Sequence, residues 1–306
     1  MAVCAHDAGA ASHMAAWLAP LQPQLRLFLA GPSDRLFRAQ LGASIGSFPT
    51  LEKALAGAQV LISGTGWGSD LEHRARRLAR QQGIPIVAVL DHWVNYRERF
   101  QRDGEEQLPD ALWVADAEAA AIANADFPDL PVLQLPNHWL ESLCSAVHSL
   151  RRKNDHQPRR PAHRLLYLLE PIRIPWCQQP GLTSEAGEIQ GLRYWLQQLP
   201  QLIKQGLVAP KHELEALALR PHPSEPAGKY DALISEFASS WPIQLDRSTD
   251  LPEALAWADA AFGCETQALV AAMAINLPAF STVPPWAPPC RLPQAKLRHL
   301  SRLKSS

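Results

Sequence analysis

The five cysteines (Cys4, Cys144, Cys177, Cys264, Cys290) are odd in number and nowhere spaced C-x-x-C. That excludes a zinc ribbon and a disulfide scaffold, and fits a reducing cytoplasm. No run of about 18 apolar residues occurs, so no membrane-spanning helix is expected. Met1–Asp7 has no basic region before its short apolar run, so no secretory signal peptide is expected. With 29 Lys+Arg against 30 Asp+Glu, the net charge is −1. A global basic field is therefore missing, and no nucleic-acid partner is expected. No G-x-G-x-x-G follows a strand, which removes the dinucleotide fingerprint. No Asp-x-Asp ends a strand and no histidines cluster at ligand spacing, so neither a metal nor a cofactor is expected.

What is present is a soluble globular composition, 47% hydrophobic and 19% charged over 306 residues. That length exceeds one ordinary core and predicts two domains of about 150 residues each. Short apolar runs alternate with helical patterns: Ala2–Ala5, Leu25–Ala30, Val60–Ser63, Ile84–Leu90, Ala111–Ala115 and Val132–Leu135 in the first half. Leu165–Leu169, Ala216–Leu219, Ile243–Leu245, Ala260–Phe262 and Pro278–Phe280 repeat the scheme in the second. Strands separated by helices of this length mean βαβ units and parallel sheets. The α/β fold expected is two Rossmann-like domains facing a central cleft. The first spans 1–150, a basic linker 151–164, and the second 165–283. A Pro-rich and basic tail, 284–306, ends the chain, with a loop holding Trp176 and Gly181 in the second domain. A helix across Glu188–Leu199 is expected to stop at Pro200. In the tail, Leu297, Leu300 and Leu303 lie at helical spacing among Lys296, Arg298, Arg302 and Lys304. The tail is expected either to cross back over the first domain or to make peripheral membrane contact.

In open α/β sheets, ligands bind at the carboxyl ends of the strands. Several ends carry chemistry. His6–Asp7 follows the first strand, with Gly9 and other small residues leaving room for a substrate. The Gly64–Thr65–Gly66–Trp67–Gly68 loop follows the third, and Asp91–His92–Trp93 with Asn95 and Tyr96 the fourth. Asp7 is favoured as a general base, with Asp91 as runner-up and a His6–Asp7 dyad open; each aspartate alternatively caps a helix or a turn. Gly9, Gly64, Thr65, His92, Trp93 and Asn95 are the expected acceptor-side contacts, whereas Trp67 is expected to pack its loop. In the second half, Arg220–Pro221–His222–Pro223–Ser224–Glu225 places a cation and an imidazole on a stiff corner. Gly263–Cys264–Glu265–Thr266–Gln267 opens an alanine-rich helix, whose N–H groups, with Thr266, Arg220 and His222, suit a phosphate. Glu265 suits ribose hydroxyls, or else caps the helix start.

Those two stretches, in that order, resemble glycosyltransferases of the GT-B fold, particularly bacterial surface-polysaccharide enzymes. His222–Pro223 looks like the His-Pro motif of sialyltransferase-like and Kdo-transferase-like enzymes that use CMP-sugars. The resemblance implies that His222, Pro223, Ser224 and the Thr266-bearing helix hold the nucleotide and its phosphate. It implies an inverting transferase moving sugar from a CMP- or UDP-sugar to a glycan or glycolipid acceptor. A nucleotide-sugar epimerase or hydrolase of the same fold is the alternative.

Overall fold

Apolar runs that do not alternate with polar residues must be covered on both faces, as in parallel sheets flanked by helices. The computed structural model, which describes residues 1–176 and 185–303, is built that way twice. Cys177, Gly181 and Lys304 lie outside the described residues. Two compact units divide the chain, Met1–Glu141 and Ser142–Ser306.

The first unit runs β1 (Ala2–Ala5), α1 (Ala8–Leu18), β2 (Arg26–Leu29), α2 (Pro32–Leu41), α3 (Leu51–Leu55) and β3 (Leu61–Ser63). It continues with α4 (Leu71–Gln81), β4 (Ile86–Leu90), β5 (Gln101–Arg102), β6 (Glu105–Glu106), β7 (Ala111–Val114), α5 (Ala117–Asp126) and β8 (Val132–Gln134). The main sheet is parallel, in the order β2-β1-β3-β4-β7-β8. On one face Val3, Ala5, Ile62 and Val89 pack under Met14 and Leu18 of α1 and Phe37 of α2. On the other, Ala2, Cys4, Leu61 and Ile86 meet Leu55 of α3 and Ala75 and Ala79 of α4. β5 and β6 form a separate antiparallel hairpin. Its turn, Asp103–Gly104, takes φ of 51° and 79°, the left-handed pair a tight hairpin requires.

Helix α6 (His138–Lys153) leads to β9 (Arg164–Leu168), α7 (Gly187–Lys204), β10 (Ala216–Arg220), α8 (Asp231–Phe237) and β11 (Ile243–Leu245). Then follow α9 (Leu251–Trp257), β12 (Ala260–Gly263), α10 (Gln267–Ala274), β13 (Ala279–Ser281) and β14 (Arg298–His299). This sheet is also parallel, ordered β11-β10-β9-β12-β13-β14. Tyr167, Trp195, Phe262 and Phe280 form a chain of ring contacts at 4.9, 5.1 and 5.0 Å between centroids, the first two tilted and the last stacked. Leu192, Leu199 and Leu202 complete that core.

Three sequence expectations change here. Pro200 does not stop α7 but sits inside it. Pro200 is exposed while Leu199 and Leu202 are buried, so the ring lies on the solvent side and the apolar stripe carries the helix onward. The stretch 151–164 ends α6 and then wraps a fully buried carboxylate, Asp259, which accepts the backbone N–H groups of Arg159, His163 and Arg164. Among the described residues, the tail forms a short strand and a 3₁₀ turn in place of the helix its leucine spacing suggested. It adds β14 to its own sheet, with Leu297 and Leu300 buried in the second unit. No helix of the described residues is long and apolar enough to cross a membrane.

Candidate functional site

Strand order locates the crevices. In the first unit the chain steps from β1 to β2 on one side and to β3 on the other, so the order reverses between β1 and β3. Loops diverge at such a switch point and leave a ligand crevice beyond the strand ends. His6–Asp7 leaves β1 there, and the glycine loop leaves β3. Asp7 Oδ1 lies 2.6 Å from His6 Nδ1, and Asp7 Oδ2 accepts the N–H groups of Trp67 and Gly68 at 2.8 and 3.2 Å. Asp7 occupies the N-cap position of α1 yet makes no side-chain cap bond; it holds the loop instead. Burial works to raise its carboxyl, but the hydrogen bonds from His6, Gly68 and Trp67 outweigh it and hold it below the ordinary value. A Cβ on Gly66 would fall 2.2 Å from Asp7 Oδ2, so glycine is what permits this approach.

A second layer braces the loop. Glu72, buried beneath it, accepts the His6 backbone N–H at 2.9 Å, and burial pushes its carboxyl up. Buried Arg76 donates to Ser63 Oγ and the Gly64 carbonyl, Arg99 to the Thr65 carbonyl, and Arg102 to the Trp67 and Ser69 carbonyls. None of these braces was expected from sequence, because each acts on a loop distant in the chain.

The other residues expected in the first unit are mostly engaged elsewhere. Asp91 pairs with Arg99 at 3.2 Å, both side chains largely buried, and covers Gly9, where a Cβ would meet its Oδ2 at 1.7 Å. Gly64 is similarly covered by Glu72. The Thr65 hydroxyl, 1% exposed, donates to the Val89 carbonyl. Trp93 is 6% exposed with its indole N–H on Asp116, so it offers no stacking face to a sugar. His92 Nδ1 accepts the Trp93 backbone N–H, and exposed Asn95 turns the chain at φ 58°. Trp67 remains 46% exposed beside the dyad, with Arg102 5.8 Å from its ring.

In the second unit the reversal falls between β9 and β12. Glu170 follows β9, and Cys264–Glu265–Thr266 follows β12. Glu170 Oε1 accepts the Glu265 backbone N–H at 2.5 Å. Burial, with the neighbouring Glu265 and Glu188 charges, overcomes that bond and pushes the Glu170 carboxyl up to about 8. Thr266, rather than Glu265, caps α10, its hydroxyl accepting the Ala268 N–H at 3.3 Å, with Gln267 opening the helix. Gly263 lies so close to β9 that a Cβ would meet the Leu168 carbonyl at 2.8 Å. Glu265 is held by Arg291, through its guanidinium at 2.5 and 3.1 Å and its backbone N–H at 3.1 Å.

The corner after β10 divides. Arg220 turns away to Asp246 at 2.5 Å and the Ser248 carbonyl, and serves the β10–β11 edge instead of the phosphate position expected for it. His222 Nδ1 meets Ser224 Oγ at 2.7 Å and accepts the Ser224 N–H at 3.2 Å. With Nδ1 accepting, the ring proton belongs on Nε2, which is left as a donor; burial lowers the imidazole's affinity for a second proton. Pro223 and Ser224 are exposed. Lys229 ties the corner to α7, bonding both Glu225 and buried Glu188. Glu170 and Arg291 went unrecognised in the sequence. Glu170 gave the modest signal of a carboxylate at a strand end, and Arg291 gave none.

No family model matches the chain and no curated relative matches it. Among solved structures, it is similar to UDP-GlcNAc 2-epimerase from Neisseria meningitidis bound to UDP-GlcNAc, with 10% identity and a TM-score of 0.55 over 92% of this chain and 82% of that one. It is also similar to MurG from Acinetobacter baumannii, with 13% identity and a TM-score of 0.50 over 100% and 87%. The fold is GT-B-like. At these identities the likeness carries architecture alone, and the chemistry rests on the residues above.

Proposed function

We propose that this chain is a nucleotide-sugar enzyme that transfers its sugar to a glycan or other surface-carbohydrate acceptor. One observation carries the proposal. Each sheet's switch point holds the groups such a reaction needs: a His–Asp pair in the first unit, a capped helix N-terminus beside a carboxylate in the second. The first-turn N–H groups of α10, the Thr266 hydroxyl and His222 Nε2–H would hold the donor phosphate, with Gln267 and Ser224 alongside. Glu265 would accept the ribose hydroxyls. Asp7, already accepting three hydrogen bonds, is better suited to orient His6 than to take a proton. The base is then His6, through Nε2, with Asp7 as its positioning residue. The acceptor oxygen would bond to the anomeric carbon as its proton moves to His6. The bond to the donor phosphate would break with its electron pair leaving on phosphate, a single displacement that inverts the centre without a metal.

The His222–Pro223 resemblance favours CMP as the nucleotide, and the similarity to a UDP-GlcNAc 2-epimerase brings UDP beside it. That similarity and the Glu170 carboxyl, protonated up to about pH 8, favour one second reading: proton chemistry on the sugar itself, as in an epimerase or hydrolase. Product analysis separates them. Nucleotide release that requires a carbohydrate acceptor supports transfer; epimerised sugar nucleotide or free sugar from donor alone supports the second reading.

A further inference from the structure

The chain contains two basic stretches, 151–164 and 296–304, that the proposed reaction does not use. The fold of the second unit brings described residues of both to one pocket. A pocket of about 340 Å³ opens at the amino-terminal ends of β12 and β13, the sheet edge opposite Glu170 and Glu265. Arg159 and Arg160 line it from the first stretch, and Lys296 and Arg298 from the second, with Asp259 and Asn276 between.

Among the described residues, part of this positive charge lacks a carboxylate partner. Asp259 is fully buried and already accepts three backbone N–H groups, besides pairing with Arg159 and Arg164. Arg159 is further shared with Glu215 at 2.6 Å. Among the described residues, Arg160, Lys296 and Arg298 make no ion pair with a carboxylate. Several cations elsewhere are matched: Arg99 to Asp91, Arg193 to Glu185 and Glu236, Arg220 to Asp246, Arg291 to Glu265. Like charges gathered around one cavity repel, and a bound anion relieves that repulsion. The site is also partly preorganised, because Arg298 lies 4.7 Å from the centroid of the Phe280 ring.

We propose that this pocket binds a phosphate-bearing anion, as a second site distinct from the nucleotide site. Planar guanidinium forks present paired donors to phosphate oxygens, and an ammonium adds a point charge. The volume lies in the range of small-ligand sites and accommodates a phosphate with a modest substituent. Such a phosphate can be free or carried on a lipid headgroup, and two probes distinguish the sources.

Calorimetric titration of the full chain with inorganic pyrophosphate tests the free form; co-sedimentation with phosphatidylglycerol vesicles, against phosphatidylcholine, tests the headgroup. In at least one arm, Arg160→Ala/Lys296→Ala should bind at least tenfold more weakly than wild type. The charge-preserving Arg160→Lys/Lys296→Arg should retain most binding. A control pair of exposed cations in the first unit, Arg35→Ala/Lys53→Ala, should leave it unchanged. The proposal is overturned if wild type binds neither probe, if the alanine pair binds as wild type does in both arms, or if the control pair loses as much.

Discussion

Asp7 accepts from His6 and from two loop N–H groups, so removing its charge disturbs the loop as well as the dyad. Charge-assisted bonds of this kind contribute about 1–3 kcal/mol each, less where water shares them. Asp7→Asn should therefore lower stability by about 1–2 kcal/mol at neutral pH, and also abolish most turnover by releasing His6. The folded carboxyl is held below its unfolded value, so its stabilisation is complete above about pH 4 and is lost as pH falls through the folded value. The difference in melting temperature between wild type and Asp7→Asn should accordingly shrink in acid. A constant difference down to pH 3 would assign the loss to something other than the charge. Glu170 behaves oppositely. Its folded carboxyl, at about 8, stays protonated where the unfolded one ionises, so stability falls with rising pH between about 4.5 and 8. The slope is at most ~1.4 kcal/mol per pH unit. Glu170→Gln stays neutral and can still accept the Glu265 N–H; it should flatten that slope and be more stable than wild type at pH 9. Equal slopes in urea unfolding at several pH values would refute the burial argument. The strand-end positions of His6–Asp7 and Gly263–Thr266 were legible in the sequence because they end apolar runs among small residues. Glu170 and Arg291 were not, since their importance comes from partners tens of residues away, nor was Arg99, whose bond to the Thr65 carbonyl spans 34 residues. Trp93 and Thr65 were misjudged for a related reason: burial is a tertiary property.

Among the elements, α1 shows how closely the first unit is fitted. Gly9 in a helix ordinarily costs about 1 kcal/mol relative to alanine. Here a methyl would strike Asp91, which must move and loosen its largely buried pair with Arg99. Disturbing a buried pair costs about 3 kcal/mol, so steric displacement outweighs helix propensity. Gly9→Ala should thus lose about 2 kcal/mol, measurable by chemical denaturation; a gain in stability would mean that Asp91 relaxes freely. Helix and strand positions were readable from apolar periodicity, except where context prevailed. Pro200 looked like a terminator because proline loses one bond, yet the buried leucines on either side keep α7 going. The tail leucines matched a helical period over seven residues, too few to exclude an edge strand followed by a 3₁₀ turn.

For the molecule as a whole, alternating strand and helix signals foretold two parallel sheets, but not their strand orders. Order depends on which side of β1 or β9 each returning strand docks, which no local stretch encodes. The orders are what single out His6–Asp7 with the glycine loop, and Glu170 with Glu265–Thr266, from the many polar strand ends. A ligand bound only by the folded chain stabilises it by about 2.7 kcal/mol at one hundred times its Kd, several degrees in a protein of this size. The decisive measurement is a thermal-shift titration of wild type, His222→Ala and Thr266→Ala with CMP, UDP and their sugar conjugates. A nucleotide-dependent rise in wild type, reduced in both variants without a comparable loss of their own stability, is the predicted result. No rise with any nucleotide, or an equal rise in all three proteins, would contradict nucleotide binding at the switch point of the second unit.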